Sequence, residues 1–389
     1  MQLIESFKVG RFRGLTDVAL DGLGQMNLIV GGNNSGKTSI LEALGVFSSP
    51  LDVVEWSNLA RLREARALIA SGNLGLSLSD AINWIFPQQG FNLWEPSEKD
   101  FSLFATGTCP IKTVHARSAP IHGIPPEPRH YSSRKAEIQE EEEDGWHLTV
   151  DVTADVARRT SDQLNLLHLG LTNDNLEHLR LDLDFWPSVG LRFTSRRVGP
   201  RVRNSMLSPY SHRNQPMQMG MLSRLISEGS KGQLIDLLVG VDPNLRDLEI
   251  VTDRAGRPSL TALLSGGSRV PVSVLGDGFR RALSIAIAVS NSRGGIVMID
   301  EIETAMHVGT LNTLFPWLMN LAIQENVQIF ATTHSLEAIQ AITSASVAFS
   351  NDDVVAFQLS KSSGGASQIR RYSGGTLERV VVERGLDIR

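Results

Sequence analysis

Cysteine is all but missing from the 389 residues. Cys109 stands alone, so no internal disulfide and no cysteine-cluster metal site can form. No apolar run approaches the roughly 20 residues that a membrane-spanning helix needs, and the opening MQLIESFKVGR lacks a signal peptide's apolar stretch. No membrane partner and a cytoplasmic location are therefore expected. Neither sign of charge dominates: 37 Lys and Arg against 42 Asp and Glu leave a net charge of −5. That excludes a generally basic nucleic-acid coat and makes local patches matter more than the total. With 41% hydrophobic and 20% charged residues the chain has the balance of a globular protein. Its length calls for a large core with a second lobe.

What is present is a glycine-rich stretch at 29–41, IVGGNNSGKTSIL. Gly31, Gly36, Lys37 and Thr38 match the phosphate-loop pattern. The chemistry asks for these types: glycines let backbone N–H groups curl round a phosphate, lysine reaches the β/γ oxygens, and a hydroxyl ligates Mg²⁺. A glycine turn with an unrelated lysine is the simpler reading of the same letters. Context argues against it, because 26–30 reads as a short buried strand and 35–47 as a helix whose N-terminus points at the loop.

The second half of the machine lies far along the chain. Residues 275–291, LGDGFRRALSIAIAVSN, run from a glycine turn into a helix apolar on most faces. Residues 296–299 then form a continuous apolar strand that ends in Asp300 and Glu301. Residues 327–331 repeat the pattern, ending at Thr332, Thr333, His334 and Ser335. Acids just past a buried strand sit at the carboxyl edge of a sheet, where open α/β folds bind ligands. Asp300 is placed to hold Mg²⁺ with Thr38, and Glu301 to serve as the base or water-orienting group at the γ-phosphate. His334 can hydrogen-bond the γ-phosphate or the attacking water. Elsewhere the patterns predict hairpin strands before residue 20, a helix in 220–240 and strands in 248–264 about a turn at 253–257. They also predict a hairpin of 354–359 with 369–372 and a last helix at 376–384.

Between the halves the pattern changes. Helical candidates such as 58–70 alternate with proline- and glycine-rich connectors, which predicts an inserted, mainly helical lobe over 51–185. EIQEEEED at 137–144 puts six acids in eight positions, the composition of a mobile, solvated loop, so disorder is expected near 115–145. From 185 to 227 there is no Asp or Glu, while Arg192, Arg196, Arg197, Arg201, Arg203, Arg213 and Arg224 occur. Such guanidinium groups suit DNA or protein docking, pairing with the acidic loop, or contact with the nucleotide.

Taken together, GGNNSGKTS, IDEIETAMH and ATTHS resemble the motifs of ABC-type ATPases of the SMC and RecF kind, and most of all the OLD-like ATPases. The resemblance also takes in residues 12–14 and 275–283. It implies an α/β P-loop ABC-type ATPase head, a mixed β-sheet flanked by helices, built from 1–50 and 186–389. It implies ATP and Mg²⁺ as cofactors and hydrolysis to ADP and phosphate, with Lys37, Glu301 and His334 as catalytic residues. The nucleotide would lie between two heads of a homo-oligomer. One head would offer Gly31, Asn33, Asn34, Ser35, Gly36, Lys37, Thr38 and Ser39, and the other its signature segment. LSGGS at 264–268 is the closer letter match to that segment, but the following RVPVSV reads as extended and cannot start a helix. Gly276, Asp277 and Gly278, with Arg280, open the buried helix instead, although Gly276 replaces serine and Phe279 replaces glutamine. By the same resemblance Arg13 meets the nucleoside or α-phosphate, and His307 stands where a D-loop aspartate is common. Gln88, Gln89, Gln215 and Gln218 compete for the Q-loop role. OLD nucleases continue into a Toprim domain. Here 55 residues follow His334 without a DxD pair, so an effector in trans is expected, as in anti-phage systems such as PARIS. A RecF-like clamp on DNA is the alternative.

Overall fold

The computed structural model describes residues 2–62, 82–88, 97–125, 142–155, 176–186, 199–214, 219–227, 229, 231–252, 256, 258–350, 353–361 and 367–388. The chain opens with β1 (Ser6–Phe12), β2 (Leu15–Asp21), β3 (Met26–Val30), α1 (Lys37–Ser48) and α2 (Val53–Leu62). Four long strands follow, β4 (Lys99–Thr106), β5 (Ile111–Gly123), β6 (Glu143–Asp155) and β7 (Leu176–Phe185). Next come β8 (Asn204–Leu207), α3 (Ser211–Asn214), α4 (Met219–Ser227), α5 (Lys231–Val241), β9 (Leu245–Thr252), β10 (Pro258–Leu264) and β11 (Arg269–Pro271). The last stretch holds α6 (Asp277–Asn291), β12 (Ile296–Ile299), α7 (Val308–Gln324), β13 (Gln328–Thr332), α8 (Leu336–Ser346), β14 (Val354–Lys361), β15 (Ser367–Ser373) and α9 (Gly374–Leu377). The helix read at 376–384 is α9 continued by a π-helical turn, Glu378–Glu383.

Two units result: Met1–Ser6, Leu20–Leu41 and Arg203–Arg389 in one, Phe7–Ala19 and Glu42–Val202 in the other. In the first, a mixed six-stranded sheet runs in the order β15-β14-β3-β13-β12-β8. All neighbours are parallel except the β14–β15 edge pair. Strands β3, β12 and β13 are buried at every position, which is why their sequences run apolar without alternation. Met26, Leu28, Val30, Val297 and Ile299 pack into one cluster with Leu283 and Ile287 of α6 and Leu314 and Leu318 of α7. Burial of each such side chain is worth about 1.5–3 kcal/mol. Where these strands begin, buried amides satisfy the backbone: Gln328 donates to the carbonyls of Ile4 and Gly24 and accepts the Ile4 N–H.

The second unit corrects two expectations. In place of a mainly helical lobe, its described residues build an antiparallel sheet, in which β1 and β2 lead into β4, β5, β6 and β7. β4 and β7 alternate inward and outward residues along their length, as in LEHLRLDLDF of β7, a period of two that no helix can present. The disorder expected near 115–145 is corrected at 115–123 and 143–145, which are strand. β5 pairs with β6 down to Gly123↔Glu143, so the end of the acidic run is strand, and 137–141 lies outside the described residues. Phe101 anchors this unit's core against Phe12, Trp56 and Phe86, at centroid distances of 5.3, 5.7 and 5.0 Å.

Candidate functional site

Three adjacent parallel strands, β3, β13 and β12, end on the same edge of the first unit's sheet. Whatever follows their last residues is therefore gathered there. After β3 the chain turns through 31–36 and enters α1. Gly31 has φ 143°, and a Cβ on it would lie 2.2 Å from the Leu359 carbonyl oxygen, so no other residue fits. Gly36 (φ 106°) and Asn34 (φ 59°) complete the turn. They delay the helix to Lys37, two residues later than its sequence pattern implies.

Lys37 is buried, and its Nζ donates to the carbonyls of Gly31 (2.7 Å) and Gly32 (2.8 Å). Burial lowers its pKa, against the opposing pull of Asp300, Glu301 and Glu303. Asn33 and Asn34 stand exposed on the crest, and Ser39 is buried in the first turn of α1. The Ser35 hydroxyl is buried with no hydrogen-bond partner, an orphan suited to a phosphate oxygen.

The Thr38 hydroxyl reaches across 262 positions of sequence to both oxygens of Asp300, at 3.2 and 3.1 Å. A hydroxyl and a carboxylate side by side are hard oxygen donors of the kind Mg²⁺ takes. Glu301 sits in the left-handed region at φ 47°, and its Oε2 accepts the Thr304 hydroxyl at 3.1 Å. His334 follows β13, and its backbone N–H donates to Glu303 Oε1 at 2.8 Å. Glu303 Oε2 is buried without a partner.

The helix expected to carry the signature segment is capped by Gly276 and begins at Asp277. Gly278 passes so near the acid loop that a Cβ there would lie 3.0 Å from the Ala305 carbonyl oxygen. The rejected LSGGS is the turn between β10 and β11, with Gly266 at φ 93° and Gly267 at φ 83°. It opens no helix. Asp277 is bound by Arg280 and Arg213, which hold its carboxyl below the usual range. His212 lies buried 3.9 Å away with neither ring nitrogen bonded, and burial pushes its pKa down.

The sequence analysis singled out neither Arg281 nor Glu303. Arg281 is fully buried and donates to the carbonyls of Ser208 (2.6 Å), Asp300 (2.9 Å) and Glu301 (3.2 Å). Desolvation pushes its pKa down to about 10. An arginine on the apolar face of a buried helix was the available signal.

Arg13 belongs to the second unit, where its Nε pairs with buried Glu42 at 2.8 Å. Gln88, also in that unit, holds Lys99 at 2.9 Å, while Gln89, Gln215 and Gln218 fall outside the described residues. His307 caps α7 by accepting the Gly309 N–H at 3.2 Å. Arg192, Arg196 and Arg197 are not among the described residues, whereas Arg201 and Arg203 are exposed.

With this geometry in hand, residues 101–340 match the AAA domain family whose description names the AbiEii toxin of type IV TA systems. The chain belongs to that family. A second family, the AAA ATPase domain, matches residues 2–80, which hold the phosphate loop. The chain is 40% identical over 65 residues to an uncharacterized protein of Methanocaldococcus jannaschii, covering 17% of this chain and 57% of that one. It is 32% identical over 77 residues to an ATP/GTP phosphatase of Helicobacter pylori, covering 19% of this chain and 21% of that one. The matches thus span less than two thirds of either relative. Among solved structures, the Smc head of Pyrococcus furiosus bound to the C-terminal domain of ScpA aligns at TM-score 0.47 and 10% identity, over 99% of this chain and 100% of that one. Among the described residues of the AAA domain, no helix is long and apolar enough to cross a membrane.

Proposed function

We propose that this AAA domain binds Mg·ATP at the shared sheet edge and hydrolyses it to ADP and phosphate. One observation carries the reading: the Thr38 hydroxyl and the Asp300 carboxylate, 262 residues apart, meet within 3.2 Å. Bound magnesium would supply charge neutralisation on the β/γ oxygens, with Thr38 and Asp300 as its protein ligands. Lys37 leaves the Gly31 and Gly32 carbonyls for the phosphates, joined by the amides of 33–39 and the Ser35 hydroxyl. Glu301 orients and deprotonates the attacking water. His334 reads the γ-phosphate, its loop held through the backbone bond to Glu303.

The same reading makes the chain a switch. Two copies close on the nucleotide, each offering the 276–278 turn and Arg280 to the other's γ-phosphate, and reopen after hydrolysis to control a separate effector in anti-phage defence. The N-terminus of α6 supports this, being 15 residues long and capped by glycine. One variant tests the whole. Glu301→Gln should slow phosphate release from Mg·ATP by roughly 100-fold or more, run as a closed oligomer on size-exclusion chromatography with ATP, and retain a neighbouring-gene protein. Unchanged turnover removes Glu301 from the chemistry. A monomer under those conditions ends the two-headed mechanism, and an oligomer that retains no partner ends effector control.

A further inference from the structure

The pairing of β12 with β13 runs Ile299↔Ala331, so the next residues out, Asp300 and Thr332, lie side by side. We infer that Thr332 is a positioning residue that sets both acids of the sheet edge at once. The inference rests on the ATPase reading above. Thr332 is 1% exposed. Its hydroxyl donates to Asp300 Oδ1 at 2.6 Å and accepts the backbone N–H of Glu301 at 2.8 Å. Its carbonyl accepts the Ile302 N–H at 3.0 Å. A hydroxyl has a single proton, so donating to one neighbour while accepting from the other fixes its direction.

Each bond has its own consequence. Thr38 and Asp300 touch as a candidate ligand pair, and such a pair needs one member oriented by a group that is not itself a ligand. Thr332 is that group for Asp300. Glu301 holds a left-handed backbone at φ 47°, which is strained for a non-glycine residue. It keeps that conformation because its part-buried N–H has the Thr332 oxygen to meet. Without that acceptor the N–H is orphaned, and the cheapest relief is a backbone flip that carries the carboxylate away. Thr332 therefore acts through Asp300 and Glu301.

The test compares Thr332→Val, which keeps the shape and loses the hydroxyl, with Thr332→Ser, which keeps the hydroxyl. Thr332→Val should lower kcat for Mg·ATP by roughly 10- to 100-fold and raise KM by about fivefold, and Thr332→Ser should restore both to within about threefold. A second readout needs no turnover. Affinity for a fluorescent ATP analogue without metal should match wild type in both variants, while the enhancement by magnesium should fall at least about fivefold in Thr332→Val only. Wild-type kcat in Thr332→Val, or equal impairment in Thr332→Ser, overturns the inference. If Thr332→Val does not fold, Thr332→Ala against Thr332→Ser decides by the same criteria. Wild-type protein that releases no phosphate overturns the ATPase reading, and this inference with it.

Discussion

The two large sheets of this molecule handle charge in opposite ways. On the antiparallel sheet of the second unit the ion pairs stand in water. Arg117 and Glu98 meet at 2.9 Å with side chains 67% and 59% exposed, and Arg180 meets Asp182 at 3.0 Å with both half exposed. At the edge of the parallel sheet in the first unit, Lys37 and Arg281 are buried, Glu303 keeps an unbonded buried oxygen, and Asn34, Glu301 and Ala305 hold positive φ. Exposed pairs contribute between 0 and about 1 kcal/mol each, whereas buried charge and backbone strain destabilise unless something requires them. The difference teaches where to look: the region that is costly to fold is the one proposed to perform chemistry.

Lys37 offers the sharpest way to break that comparison. Burial sets its folded pKa below the unfolded value of 10.5. Stability therefore rises with pH between those two values, and at neutral pH the charged side chain is a burden on the fold. Lys37→Met should leave the melting midpoint unchanged or higher. Nucleotide affinity should nevertheless fall by roughly 1,000-fold, the loss of two charge-assisted hydrogen bonds worth about 4 kcal/mol together. Differential scanning fluorimetry and a fluorescence titration read the two quantities. A variant that melts much lower, or binds within threefold of wild type, would show that Lys37 serves the fold instead.

Arg281 sits on the same side of the comparison and predicts the opposite pattern. Its guanidinium satisfies three carbonyls beside three carboxylates. Arg281→Met should cost about 3 kcal/mol, or roughly 6–12 °C in the melting midpoint of a domain this size. Thermal unfolding with and without Mg·ATP measures it. A loss under about 1 kcal/mol would mean that the acid loop does not need this anchor.

What was legible in the sequence follows from range. The phosphate loop, the strand before it and the acids after β12 are local patterns, each complete within a dozen residues, and the structure places them as those patterns imply. That an α-helix opens at Gly276 and none directly after LSGGS also needed only neighbours, although RVPVSV is extended only over Arg269–Pro271 and turns 3₁₀ at Val272–Val274. Thr332, Arg281 and Glu303 were opaque for a different reason. Their partners are fixed by the register of β12 against β13 and by the packing of α6, neither of which any local pattern encodes. The strands of the second unit were legible and passed over. WHLTVDVTAD of β6 alternates apolar and polar residues as a half-buried strand does, and the proline- and glycine-rich connectors around it mask that period.

The smallest expected effect guards the other side of the comparison. If exposed pairs on the antiparallel sheet are solvated decoration, Arg117 and Glu98 should be nearly independent despite their 2.9 Å contact. A double-mutant cycle of Arg117→Ala and Glu98→Ala, followed by urea unfolding, should give a coupling of about 0.3 kcal/mol at low salt. It should vanish at 1 M salt, where the screening length is about 3 Å. Each single substitution should cost less than about 0.5 kcal/mol. A coupling above about 1 kcal/mol that survives salt would mean this face is organised by its charges, and the contrast with the parallel-sheet edge would then rest on burial alone.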